Sequence, residues 1–80
     1  MLTVYSKNHC PFCDQAKALL NSKSIPFTEV KIDEDADARA FIVGEGHRTV
    51  PQIYKDGKIF VQGGFNGLRQ LNEDQLKEAL

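Results

Sequence analysis

Residues 2–20, LTVYSKNHCPFCDQAKALL, hold a change from strand to helix and both cysteines of the chain, Cys10 and Cys13. Leu2 to Tyr5 is short and rich in β-branched and aromatic side chains, which suit a pleated, half-buried strand. After Cys10 the period changes. Phe12, Ala16, Leu19 and Leu20 recur at i, i+4, i+7 and i+8, one face of a helix. Pro11 fits the first helical position, where its missing N–H would have no partner anyway. The pattern predicts a helix from Pro11 to about Lys23, broken by SKSIP.

Working outward, FTEVKI (27–32) alternates and reads as a second strand. A helix between two adjacent parallel strands makes a βαβ unit with a right-handed crossover. DEDADARAFIVGEG (33–46) predicts a second helix, with the acids from Asp33 to Asp37 at its positive end and Gly44 or Gly46 to stop it. The acids lack the spacing of a calcium loop. In PQIYKDGKIFVQ (51–62), two β-type runs flank Asp56-Gly57, the preferred pair for a two-residue hairpin turn. FNGLRQLNEDQLKEAL (65–80) reads as helical, with Asn72 placed to cap a final short segment. The order β-α-β-α-β-β-α predicts an α/β fold: a four-stranded mixed sheet carrying three main helices, in one domain over residues 1–80. The expected core is Val4, Ala16, Leu19, Leu20, Phe27, Val30, Ile32, Phe41, Val50, Ile53, Ile59, Val61, Leu68 and Leu71.

The 80 residues carry a formal net charge of −1, with signs mixed along the chain. Without a basic excess, neither nucleic acid nor an anionic membrane surface is an expected partner. No apolar run approaches the roughly 18 residues a membrane helix needs. The first residues lack the basic-then-apolar pattern of a signal peptide. The expected location is the cytoplasm, where thiols are kept reduced.

Three chemistries compete for the two sulfurs. A structural staple gains little, since so short a loop contributes about 2 kcal/mol against about 4.7 for a hundred-residue loop. Zinc would need His9 and His47 beside the cysteines, but their spacing matches no finger and no second tight ligand pair exists, so no metal is expected. Dithiol redox chemistry fits best. C-x-x-C opening a helix straight after a strand lets the sulfurs meet, and the free N–H groups of the helix start favour a thiolate on Cys10. Lys7 can add positive charge nearby. Cys13 lies one turn into the helix and should be less exposed, so Cys10 attacks and Cys13 resolves.

Magnitudes show what a depressed pKa achieves. An ordinary thiol of pKa about 8.5 is only about 3% thiolate at pH 7, and a pKa of about 5 raises that roughly thirtyfold. Intrinsic nucleophilicity falls by about the same factor, so attack gains little, while departure from a mixed disulfide becomes faster.

With CPFC after VYSK, then RTVP, then GGF, the chain resembles the glutaredoxins, a branch of the thioredoxin fold, over essentially its whole length. Tyrosine is common in the family where this chain has Phe12. The resemblance implies a thioredoxin-like sheet, Cys10 as nucleophile, Cys13 as resolving thiol, and glutathione as co-substrate with no tightly bound cofactor. It implies a cis bond before Pro51, with the Val50 backbone turned toward a peptide-like substrate that pairs as an added strand. Thr49 would border that groove, and Pro11 and Phe12 would flank it. Lys7 would meet the glycine carboxylate of glutathione, with Arg39 a weaker candidate. Gly63-Gly64 matches the family's close-approach turn, and Gly64, Phe65 and Asn66 would receive the γ-glutamyl end through helix-start N–H groups. Many relatives carry acids in the stretch where this chain has Asn66 and Gly67; one of those acids pairs with the glutathione amine.

The resemblance implies a cytoplasmic monomer that reduces protein disulfides and glutathione mixed disulfides. GGF also resembles short phage-type glutaredoxins that supply electrons to ribonucleotide reductase. Two other readings stand beside this one. The missing acid at Asn66 and Gly67 keeps open a redoxin reduced by thioredoxin reductase. A [2Fe–2S]-carrying dimer would use Cys10 from each chain with two glutathiones; Pro11 counts against it. Read without the family, Lys7 and His9 are solvated surface residues, Phe65 is a helix-start contact, and Gly63 and Gly64 form a plain turn.

Overall fold

The computed structural model describes residues 1–80. Its elements are β1 (Leu2–Ser6), α1 (Pro11–Ser22), β2 (Phe27–Lys31), α2 (Ala36–Gly44), β3 (Gln52–Lys55), β4 (Lys58–Val61), α3 (Gly64–Arg69) and α4 (Glu73–Lys77). The strands form one sheet in the order β2-β1-β3-β4. β1 runs parallel to β2, with Leu2 opposite Phe27, and antiparallel to β3, with Val4 opposite Ile53. β3 and β4 form the expected hairpin, with a register irregularity between Ile53 and Tyr54. Asp56 (φ 52°) and Gly57 (φ 81°) both take the left-handed backbone that a two-residue hairpin turn requires.

Alternate residues of a strand face opposite sides of its sheet. Leu2 and Val4 point one way, into a buried cluster with Ala16, Leu20, Ile25, Ile53, Leu68, Leu76 and Ala79. That face is covered by α1, α3 and α4. Tyr5 and Tyr54 point the other way and meet Phe41 of α2, with ring centroids 5.6 Å and 5.4 Å from it. The sheet is therefore sandwiched, with α2 alone on its second face. Burying a leucine of the first cluster contributes about 2 kcal/mol, so the side carrying α1 dominates stability.

Several expectations need correction. α2 starts at Ala36, not Asp33: Asp35 is its N-cap, accepting the Ala38 N–H at 3.0 Å. Residues 32–34 instead form the turn out of β2. The last helical stretch is two helices, not one, and Asn72 caps the second, as expected, in a reciprocal capping box with Gln75. In the core, Phe41 is 37% exposed, and its neighbour Ile42 is the buried residue of α2. Val30, Ile32, Val50 and Ile59 are only half-buried. Leu2, Ile25, Tyr54, Leu76 and Ala79 are buried beyond the expected set. No helix is long and apolar enough to cross a membrane.

Candidate active site

The chain leaves β1 at Ser6 and turns through Asn8 and His9 before α1 begins. His9 takes φ 58°, a conformation histidine tolerates better than most residues. Asn8 holds this turn in place. Its backbone N–H and its Nδ2 both donate to Asp33 Oδ2, at 3.0 and 3.1 Å. Nδ2 also donates to Glu34 at 2.6 Å, and Oδ1 accepts from Lys31 Nζ at 2.8 Å. The Asn8 N–H is the main reason the Asp33 carboxyl sits below the usual carboxylate range. The loop before Cys10 is thus fastened to the end of β2, across 25 residues of sequence. A lone asparagine two residues before a cysteine gave no sign of this role.

Cys10 is the N-cap of α1, with φ −120° and ψ 98°. Its Sγ accepts the Cys13 N–H at 3.2 Å, where a serine or aspartate oxygen would otherwise cap the helix. Pro11 occupies the first turn. Cys10 and Cys13 are joined as a disulfide, with Cα atoms 5.2 Å apart. Cys10 is 7% exposed and Cys13 is 0% exposed. Of the two, only Cys10 has any exposed surface.

Across from it, the Val50–Pro51 bond is cis, and the Val50 carbonyl oxygen lies 3.9 Å from Cys10 Sγ. Gln52, itself buried, fixes the preceding residue: its Nε2 donates to the Thr49 carbonyl at 2.9 Å. Gly64 closes the other wall. It takes φ 57°, and a Cβ there would lie 2.8 Å from the Pro51 carbonyl oxygen. The double glycine therefore brings the start of α3 against the Pro51 loop, closer than any side chain permits.

Thr49, Val50, Pro51, Gly64, Phe65 and Asn66 line one groove of about 620 Å³, joined by Phe12 from α1. Phe12 is 58% exposed and stacks on Phe65, with ring centroids 6.4 Å apart. Lys7 does not line this groove. It lies with Arg39 and Arg48 in an adjoining recess of about 310 Å³, which shares Thr49, Val50 and His47 with the groove. Arg39, the weaker candidate, thus lines the same recess as Lys7. His9 is exposed and lines neither cavity. Glu45, His47, Tyr54, Ile59 and Gln62 also line the groove, though the motifs did not point to them. They come from the end of α2 and from the hairpin, so only the folded sheet brings them together.

Beneath the site, Ser6 is fully buried and donates to Glu29 Oε2 at 2.6 Å. The same oxygen binds Lys17 Nζ at 2.7 Å, and Lys17 also approaches Asp14 at 3.6 Å. The Lys17 bond, then the Ser6 bond, hold Glu29 below the usual carboxylate range; Glu29 in turn raises Lys17. This triad ties β1, β2 and α1 together one turn below Cys13. No three histidine, cysteine or acidic side chains gather where a metal ion would bind.

A helix-capping cysteine with some exposed surface, joined to an enclosed one beside a backbone-lined groove, is built for thiol–disulfide exchange. Comparisons with known proteins agree. The family model described as Glutaredoxin matches residues 2–61. Glutaredoxin 3 of Escherichia coli (strain K12) is 46% identical over 70 residues, spanning 86% of this chain and 82% of that protein. Glutaredoxin-like protein NrdH of Lactococcus lactis subsp. cremoris (strain MG1363) is 40% identical over 60 residues, spanning 75% of this chain and 83% of that protein. A crystal structure of a buckwheat glutaredoxin–glutathione complex superposes with a TM-score of 0.76 at 26% identity, covering 98% of this chain and 77% of that one. The thioredoxin-like fold and the redox-active cysteine pair that CPFC, TVP and GG imply are thus both present, and the chain belongs to the glutaredoxin family of thiol–disulfide oxidoreductases.

Proposed function

We propose that the chain reduces protein disulfides with both thiols, and glutathione mixed disulfides with Cys10 alone, drawing its electrons from glutathione. Cys10 carries this reading, because its sulfur is the helix cap and it alone of the pair has exposed surface. In the forward step the Cys10 thiolate attacks one sulfur of a substrate disulfide. A Cys10–substrate disulfide forms, and the other substrate sulfur leaves as a thiolate that takes up a proton. Cys13 then loses its proton, attacks Cys10 and expels the second substrate sulfur, leaving the Cys10–Cys13 disulfide. One glutathione thiolate opens that disulfide at Cys10 and frees Cys13. A second attacks the Cys10–glutathione bond, releasing oxidised glutathione and the Cys10 thiolate.

The groove residues take positioning roles in this reading. The exposed backbone at Thr49 and Val50 pairs with an extended substrate. The first N–H groups of α3, at Gly64, Phe65 and Asn66, receive a carboxylate, and Phe12 and Phe65 form an apolar wall. Lys7, with Arg39 in the same recess, takes the opposite carboxylate. That the similar buckwheat glutaredoxin forms a complex with glutathione supports glutathione as the ligand in this reading. The chain is taken to act as a cytoplasmic monomer, with a protein disulfide such as that of ribonucleotide reductase among its targets.

Replacing Cys10 by Ser should abolish both activities, and survival of either refutes its role. Cys13→Ser should lose reduction of protein disulfides while keeping that of glutathione mixed disulfides. A second reading has its own support: Asn66 and Gly67 provide no negative charge for the glutathione amine. It makes thioredoxin reductase the electron source. Coupled assays with glutathione plus glutathione reductase, and with thioredoxin reductase, decide between them by which one sustains turnover.

A further inference from the structure

Glu45 is the only side chain with a fixed formal charge among those lining the groove, and the fold holds it in place. Tyr54, fully packed from β3, donates its hydroxyl to Glu45 Oε1 at 3.1 Å. The same hydroxyl lies 2.7 Å from His47 Nε2. A phenol has one proton to give. With that proton on Glu45, the short contact to His47 requires Nε2 to be the donor. The chain of donation therefore runs from His47 to Tyr54 to Glu45. Three T-shaped contacts, with Tyr5, Phe41 and His47, lock the Tyr54 ring. One carboxylate oxygen is thus anchored, while the residue itself remains exposed at the groove rim. Beyond Thr49 and Val50 the adjoining recess carries a net charge of the opposite sign, with Lys7, Arg39 and Arg48 outnumbering Asp33.

We propose that Glu45 forms an anionic subsite that takes the Lys or Arg side chain of a polypeptide disulfide lying in the groove. This rests on the reading of the groove as the place where a substrate disulfide docks. A peptide strand paired with Val50 then meets negative charge on one side and positive charge on the other, which fixes its direction as well as its position. The subsite selects among protein substrates by a charge next to the reacting sulfurs.

Three peptides of one sequence, each closed by a disulfide and carrying Lys, norleucine or Glu at one position near a cysteine, test this. That position is scanned on both sides of the disulfide. At the best position the wild-type chain should favour Lys over norleucine by about three- to fivefold in kcat/KM, the range of an exposed ion pair. The preference should shrink in high salt. Glu45→Gln should bring the ratio close to one, and Glu45→Lys should favour the Glu peptide. Tyr54→Phe keeps the ring but frees the carboxylate, and should lower the Lys preference. Asp74→Asn, an exposed acid on α4, should keep it. Peptides reduced at equal rates at every position, or a Lys preference that survives Glu45→Gln or disappears in Asp74→Asn, overturn the subsite. A full preference in Tyr54→Phe overturns the part given to the relay. If no peptide is reduced, while Cys10 still turns over glutathione mixed disulfides, polypeptide reduction fails and the subsite fails with it.

Discussion

The backbone N–H of Cys13 points at the sulfur of Cys10 across 3.2 Å, so the first cysteine caps the helix that carries the second. In the reduced protein this N–H and the open end of α1 are expected to favour a thiolate on Cys10. Cys13 is fully enclosed. At pH 6, where an ordinary thiol of pKa about 8.5 is about 0.3% thiolate, iodoacetamide should label Cys10 within minutes and leave Cys13 untouched. Mass spectrometry of the digested protein reads this directly. Equal labelling of both, or rates at Cys10 matching a free thiol, would remove the basis for its role.

Asn66 and Gly67 should respond in opposite ways to an added acid. Asn66 is exposed on the groove, so Asn66→Asp places a carboxylate there without crowding. An exposed ion pair with the glutathione amine contributes up to about 1 kcal/mol, so KM for glutathione should fall by about two- to fivefold. A Cβ at Gly67 would overlap the Gln62 carbonyl oxygen and crowd Val61 Cγ2 at 3.1 Å. Gly67→Asp should therefore cost about 1–3 kcal/mol by overpacking and lower Tm, with no gain in glutathione affinity. A stable Gly67→Asp with improved KM would contradict the packing of α3 on β4.

Where one short stretch settled an element, the sequence was enough. Pro11 with the Phe12, Ala16, Leu19 and Leu20 stripe placed α1 to within a residue, and Asp56-Gly57 placed the hairpin. Phe12 of CPFC, the TVP residues and the double glycine lie far apart in the chain but line one groove, whereas Pro11, expected to flank it, and the two cysteines are not part of its lining. What was illegible depends on contacts between distant elements. Phe41 and Ile42 are adjacent and both strongly apolar, and only the packing of α2 on the sheet decides that Ile42 goes inside. Tyr54 reads as an ordinary strand residue until Glu45 and His47 arrive beside it from the end of α2. Asn8 looks like loop filler until Asp33 and Glu34 are brought to it by the parallel pairing of β1 and β2.

Asn72 should matter more than its exposure suggests. It accepts the Gln75 N–H at 2.8 Å while its own N–H donates to Gln75 Oε1 at 2.9 Å. The five-residue α4 is too short to be stable unaided, yet Leu76 on it and Ala79 just beyond it belong to the main buried cluster. Asn72→Ala should cost about 1 kcal/mol, and Asn72→Asp should restore most of it. Urea unfolding of the three proteins measures this, and an unchanged midpoint for the alanine variant would show that Leu76 docks without the cap.

The Ser6–Glu29–Lys17 triad makes stability depend on pH in a direction the bonds fix. Lys17, then Ser6, lower the Glu29 pKa below its ordinary 4.5. The folded state therefore binds this proton less readily than the unfolded chain. The stabilisation is fully present above pH 4.5 and is lost as pH falls through the lower folded value. Lys17 is raised above its ordinary 10.5, chiefly by Glu29. Its share is present below pH 10.5 and is lost as pH rises through the folded value. Both side chains are about one-quarter exposed, so the pair is screened, and Glu29→Gln should cost about 1 kcal/mol at pH 7. The gap between wild type and Glu29→Gln should narrow steadily below pH 4.5. Urea unfolding at pH 7, 5, 4 and 3 follows that gap. A difference that stays constant down to pH 3 would mean that Glu29 contributes by packing, not by charge.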